Sequence, residues 1–201
     1  SSSSNDDDDD SYTPSYTYVP NEDCINCGPI AIRRGPILPP IHVDAEGFAG
    51  GQKVVDSDAS LSAALSLVFQ HRFRINAAVS HYFENEMDGG RVTLTLPAFT
   101  VGVRLGDLGP TKLWLEGGIT YARTRDTNGS VGLLGSTADL RGEHQLGAAT
   151  LLATAGAMLF DDLQAFTGRV GVRYHHVEVA FKVLDFSVGP PLYGPEIGIG
   201  F

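Results

Sequence analysis

The chain lacks any long apolar run. No stretch approaches the roughly 18 apolar residues of a membrane-crossing helix, which excludes a helical membrane protein. Charge is sparse as well: Asp, Glu, Lys and Arg make up 19% of the residues, against roughly 25% in an ordinary soluble domain. Basic residues are the scarcer sign, 14 against 24 acidic, for a net charge of −10. That balance excludes nucleic acid as a partner, because an anionic backbone demands a basic stripe. Cysteine occurs only at Cys24 and Cys27, in Cys-Ile-Asn-Cys. No βαβ pattern flanks the pair, no second Cys or His pair has zinc spacing, and Gly28 stands where haem attachment needs His. In an oxidising compartment the simplest expectation is a small local disulfide between Cys24 and Cys27, ahead of an inert thiol pair. No glycine-rich phosphate loop follows a strand and opens a helix, so no nucleotide site is expected, and no cofactor.

What the chain does have is an uneven layout. Residues 1–40 read as a tail. Ser1 to Ser4, Asn5 and the run Asp6 to Asp10 offer nothing apolar to bury and repel one another, so disorder is expected. Pro14, Pro20, Pro29, Pro36, Pro39 and Pro40 then keep the segment extended. The chain begins at polar Ser1 without a secretion signal, which fits either a processed export substrate or a protein never exported.

From residue 41 onward a period of two takes over, the signature of half-buried strands. Strands are expected near 41–50, 59–69, 73–83, 91–105, 112–123, 144–159, 163–176 and 191–201. The clearest sets Leu61, Ala63, Leu65, Leu67 and Phe69 against Ser60, Ser62, Ala64, Ser66 and Val68. Residues 91–105 begin with Val92, Leu94 and Leu96 on one face and end with Phe99, Val101 and Val103 on the other. A β-bulge at Pro97 would absorb that slip. Residues 144–159 lack a polar face. Connections alternate: short at 70–72, 106–111 and 160–162, longer at 51–58, 84–90, 124–143 and 177–190. Short periplasmic turns and longer outer loops are the pattern of an outer-membrane barrel, with both termini then periplasmic. On this layout Phe69, Phe73, Phe160 and Phe201 fall at periplasmic strand ends and Phe83, Tyr121, Tyr174 and Tyr193 at extracellular ends, as two aromatic girdles.

The fold class expected is therefore all-β: an eight-stranded antiparallel up-and-down transmembrane β-barrel over 41–201, behind a disordered N-terminal tail. It resembles the small eight-stranded outer-membrane barrels, the group that contains OmpA, OmpX and OmpW-like proteins. The resemblance is architectural, apart from the last strand, where Ile197, Ile199 and Phe201 share one face. It implies that these three are read by the barrel-assembly machinery, that outer-membrane lipid and lipopolysaccharide surround the wall, and that the bacterial outer membrane is the location.

An eight-stranded barrel encloses room only for side chains. The expected inward face carries Asp44, Glu46, Glu116 and Glu196 with Arg74, Arg104, Arg169 and Arg173. Buried charges persist only when paired, so equal numbers of each sign imply a plugged lumen and no open pore. Enzymatic readings fare poorly. His175-His176 and Ser80-His81 would point to opposite faces of a strand. The function expected is a non-enzymatic structural or interaction protein of the envelope, working through outer loops or through the tail, which would contact an envelope partner. The alternatives are an OmpW-like conduit for small apolar solutes and a soluble ligand-binding β-barrel with its faces reversed.

Overall fold

The computed structural model describes residues 16–19, 30–33, 41–54, 59–85, 90–126 and 129–201. The chain falls into two units, Ser1–Pro40 and Ile41–Phe201. In the first, β1 (Tyr16–Val19) and β2 (Ile30–Arg33) pair antiparallel, Tyr16 opposite Arg33. The expectation of a disordered tail fails at these two paired strands. The aspartate run and the pair Cys24 and Cys27 lie outside the described residues.

The second unit is a closed antiparallel barrel of ten strands, not eight. They are β3 (Val43–Gln52), β4 (Ala59–Phe69), β5 (Phe73–Asn85), β6 (Arg91–Leu108), β7 (Thr111–Asp126), β8 (Gly129–Leu146), β9 (Ala149–Phe160), β10 (Leu163–Tyr174), β11 (Val177–Phe186) and β12 (Leu192–Gly200). Each pairs with its chain neighbours, and β12 closes on β3 from Glu196–Gln52 to Gly200–Phe48. The two extra strands, β8 and β11, occupy stretches that the sequence layout assigned to long outer loops. The count remains even.

Adding a strand before β9 reverses the direction of β9 and β10 relative to that layout. We call the rim where β3 begins the proximal rim and the opposite one the distal rim. The β4–β5, β6–β7, β8–β9 and β10–β11 turns are proximal. The Asp161-Asp162 turn, expected beside Phe69 and Phe73, is distal. Two of the girdle aromatics change ends accordingly. Phe160 is distal and buried in the lumen, while Tyr174 is proximal and faces outward. Phe73 and Phe201 remain proximal, Tyr121 and Tyr193 distal.

The bulge expected at Pro97 is also corrected. Register against β5 runs unbroken from Phe73–Val103 to Asn85–Arg91, with Val79 opposite Pro97. The irregularity lies between Arg104 and Gly106 on the β7 side. Pro97 has no N–H to give, and the β6–β7 ladder instead skips Leu96 and Pro97. No phase slip occurs. Leu94 and Leu96 point inward like Thr100 and Gly102, and Phe99, Val101 and Val103 point outward.

The wall is apolar on its outer face. Leu61, Phe99, Val101, Ile119, Leu159, Phe166, Val170, Val179 and Ile197 are all exposed, Val170 at 65%. Exposed apolar area this continuous is foreign to a protein in water. The long strands β6, β7 and β8 exceed the roughly 9–11 residues needed to span a bilayer. Residues 123–126 and 129–132 of the β7–β8 hairpin are exposed on both faces. There the β8 edge runs free among the described residues, since β9 first meets it at Gly135–Phe160.

Candidate functional site

Alternation sends every second residue into the lumen, and ten strands make that lumen wider than eight would. It must be filled by large groups, and two layers fill it. In the proximal and middle part lies a charged layer. Arg74, 1% exposed, is its hub. Its Nη2 donates to Glu46 Oε2 at 2.7 Å and to Ser66 Oγ at 3.0 Å, and its Nη1 donates to Glu143 Oε1 at 3.1 Å. Glu116 Oε1 lies 3.6 Å from Arg74 Nε, and its other oxygen accepts from Thr100 Oγ1 at 2.9 Å. Arg141 Nε donates to the shared Glu143 oxygen at 2.8 Å. These residues come from six consecutive strands, β3 to β8, so the cluster ties distant parts of the wall across the bore.

A second cluster belongs to β10, β11 and β12. Arg169 Nε donates to Glu196 Oε2 at 2.6 Å, its Nη2 also contacts Glu178, and Arg173 Nη2 lies 2.8 Å from Glu178 Oε2. The Arg169 guanidinium lies 4.7 Å from the centre of the Phe48 ring, over its face. Glu178 and Glu196 are each 1% exposed. Lys182 donates through Nζ to Ser80 Oγ at 2.7 Å and Ser62 Oγ at 3.2 Å. Such pairs offset the cost of taking charge out of water, which a lone ion could not. A cavity of about 170 Å³ remains between the clusters, lined among others by Ser62, Asn76, Arg141, Arg173 and Lys182. It is polar and large enough for a few waters.

All eight charged residues expected on the inward face lie there. Arg74, Glu46 and Glu116 form the first cluster, and Arg169, Arg173 and Glu196 belong to the second. Arg104 lies nearer the proximal rim, its guanidinium 5.9 Å from the Trp114 ring centre, donating from Nη1 to the His71 carbonyl at 3.3 Å. Asp44 sits at the rim, 45% exposed, between His42 and His71. Arg141, Glu143, Glu178 and Lys182 were missed because they stand on β8 and β11, the strands read as loops.

The distal part of the lumen is apolar, also unforeseen. Val54, Tyr82, Leu96, Ala122, Phe160, Ala165 and Leu184 form one buried cluster, with Leu94, Leu133, Met158 and Leu163 packed against it.

Ile197, Ile199 and Phe201 face outward, at 62%, 62% and 70% exposure. Phe201 and Gly47 exchange backbone hydrogen bonds of 2.7 and 3.0 Å across the seam. The Phe201 ring lies so close over Gly47 that a Cβ there would meet its far end at 2.2 Å, and a larger residue would push this exposed ring aside. His175 and His176 form the β10–β11 turn at the proximal rim rather than the outer end of a strand. His176 Nδ1 lies 3.2 Å from the Gly200 carbonyl. Ser80 and His81 do point to opposite faces: Ser80 to Lys182, and His81 to Thr95 Oγ1 at 2.8 Å.

No protein-family model and no curated protein matches the chain. Solved structures that resemble it are outer-membrane proteins. Ail, the attachment invasion locus protein of Yersinia pestis, solved with the heparin analogue sucrose octasulfate, is 11% identical over 79% of this chain and 96% of its own, with a TM-score of 0.44. The β domain of the Bordetella autotransporter BrkA is 10% identical over 80% and 97%, at 0.38. Neisserial surface protein A is 12% identical over 80% and 94%, at 0.30. The assignment of this chain rests on its own wall and lumen: a closed antiparallel barrel, apolar outside and charged through the proximal and middle lumen, which is the architecture of an outer-membrane β-barrel.

Proposed function

We propose that this chain is a non-enzymatic β-barrel of a bacterial outer membrane, a structural or interaction protein whose lumen is plugged. The observation that carries the reading is the inversion of its faces. Leucine, valine, isoleucine and phenylalanine cover the outside, while arginine and glutamate occupy the inside. A soluble ligand-binding barrel needs the opposite arrangement, and a conduit for apolar solutes needs a bore without the charged layer. In this reading the proximal rim and both termini are periplasmic, and lipid and lipopolysaccharide surround the wall. Ile197, Ile199 and Phe201 serve the assembly machinery, and residues 1–40 contact an envelope partner. The β7–β8 hairpin, standing clear of the wall, is the outward contact surface, in place of the long loops first expected.

Two measurements test this. Gel mobility of the membrane-extracted protein, boiled against unboiled, is expected to shift with heat, and the protein to sediment with outer membranes. Recovery in the soluble fraction without a shift would overturn the assignment. Reconstituted in a planar bilayer, the barrel is expected to give no stable conductance steps. Regular steps would refute the plug while leaving the membrane assignment standing.

A further inference from the structure

One cluster lies outside the lumen network and has no role in the function proposed above. At the proximal rim His42, Asp44 and His71 bring one donor atom each within 4.8 Å of one another. His42 Nε2 lies 3.2 Å from Asp44 Oδ1, and His71 Nδ1 lies 3.4 Å from Asp44 Oδ2. Donors bound to one ion at about 2.0–2.1 Å, with angles between octahedral and tetrahedral, are separated by about 3.0–3.4 Å. Each imidazole stands within that span of the carboxylate, on a different oxygen, and the three donor atoms, within 4.8 Å of one another, must draw together to share one ion.

The local backbone holds the arrangement. His42 and Asp44 are two residues apart and share a face as the chain enters β3. His71 lies in the β4–β5 turn, where Gln70 and His71 both have positive φ, 47° and 56°. Histidine is among the residues enriched in this conformation, whereas glutamine adopts it uncommonly, so the strain that the surroundings must offset sits at Gln70. Three hydrogen bonds do so. The Gln70 N–H donates to the His42 carbonyl at 2.8 Å, Arg72 N–H to the Phe69 carbonyl at 3.0 Å, and Arg104 Nη1 to the His71 carbonyl at 3.3 Å. The first of these fastens the turn directly to the backbone of another would-be ligand. A strained turn that delivers an imidazole to a His–Asp pair points to a use for that imidazole.

We propose that His42, Asp44 and His71 form a binding site for a divalent first-row transition ion, Zn²⁺ or Cu²⁺, which staples the start of β3 to the β4–β5 turn. Two imidazoles and one carboxylate are the donor set such ions favour. The three side chains are 60%, 45% and 58% exposed, so an ion reaches them without unfolding, and further coordination positions remain for water. A cleft of about 490 Å³ opens beside His71, lined by Gln70, Arg72 and Arg104 among others but by neither His42 nor Asp44. The same two arginines oppose a dication, which places the expected affinity in the micromolar range.

The test is titration of the folded full-length barrel in detergent with Zn²⁺ alone by calorimetry, and with Cu²⁺ alone by electron paramagnetic resonance. Saturable binding of one ion is expected, with nitrogen coupling in the copper spectrum. His42→Ala, His71→Ala and Asp44→Asn are each expected to weaken it by about tenfold or more. His175→Ala, in the neighbouring proximal turn, should leave it unchanged. The aspartate run at residues 6–10 is a competing site of oxygen donors only. Binding that persists at full strength in both histidine variants, copper spectra without nitrogen coupling, or no saturable binding would each overturn the proposal. None of these outcomes depends on where the barrel resides.

Discussion

Along β5 the inward face runs from Arg74 through Asn76 and Ser80 to Tyr82, and along β11 from Glu178 through Lys182 to Leu184. The same strands thus build two unlike fillings. The proximal and middle layer is charged and bound by named pairs, while the distal layer is mainly apolar and held chiefly by volume. A charged filling is specific: each group must find a partner of opposite sign at hydrogen-bond distance, and losing one strands the others. An apolar filling tolerates exchange of shape so long as no void opens. The charged layer therefore does most to fix which strands face one another across the bore, helped near the distal end by buried Gln52, which donates to the Lys182 and Gly194 carbonyls and accepts from Ser60, and the apolar layer seals it.

The contrast predicts unequal responses to mutation. Arg74→Ala leaves Glu46, Glu116 and Glu143 without their shared cation and is expected to cost about 3–5 kcal/mol, read as a lower urea midpoint in lipid vesicles. A change below 1 kcal/mol would mean that water in the lumen, not Arg74, neutralises these acids. In the distal layer Leu184→Ala is expected to cost roughly 2–5 kcal/mol through the cavity it opens. There Leu184→Met should recover most of the loss, whereas no conservative exchange, Arg74→Lys included, should recover Arg74. Rescue by that lysine would erase the distinction. Ser62→Ala removes the longer of two bonds to Lys182 and should cost about 1 kcal/mol or less, with Ser80 still accepting. Smallest of all is the effect on conductance of Phe160→Ala combined with Leu96→Ala. The charged layer still fills the cross-section, so current should stay at baseline, and the appearance of steps would make the apolar layer the only barrier.

The same contrast explains what the sequence disclosed. Period-two reading detects a difference between two faces. It located β3, β4, β5, β7, β10 and β12 because an apolar outer face there opposes charge, hydroxyl or glycine on the inner one. It failed where the lumen is itself apolar. Leu94 and Leu96, facing the distal plug, looked like lipid-facing residues and produced an apparent slip at Pro97. Met158 and Phe160, in the same plug, left the end of β9 without a polar face. β11 is a different case. Val177, Val179, Phe181 and Val183 against Glu178, Ala180 and Lys182 alternate plainly, but a two-residue turn at His175-His176 gave no Gly, Asn or Pro to mark a boundary. The rim triad was invisible in principle, since His71 reaches Asp44 only through strand pairing.

The seam between β12 and β3 bears on how fast the barrel forms. Every other ladder joins strands adjacent in the chain and can grow hairpin by hairpin at small entropic cost. The seam brings Glu196 to Gln52 and Gly200 to Phe48, so it closes the longest loop in the domain and is rewarded by few bonds. Closure is therefore expected to be the slow step of folding. The time at which compact gel mobility appears should follow the seam, lengthening when Gly47 is replaced by a residue that Phe201 cannot cover.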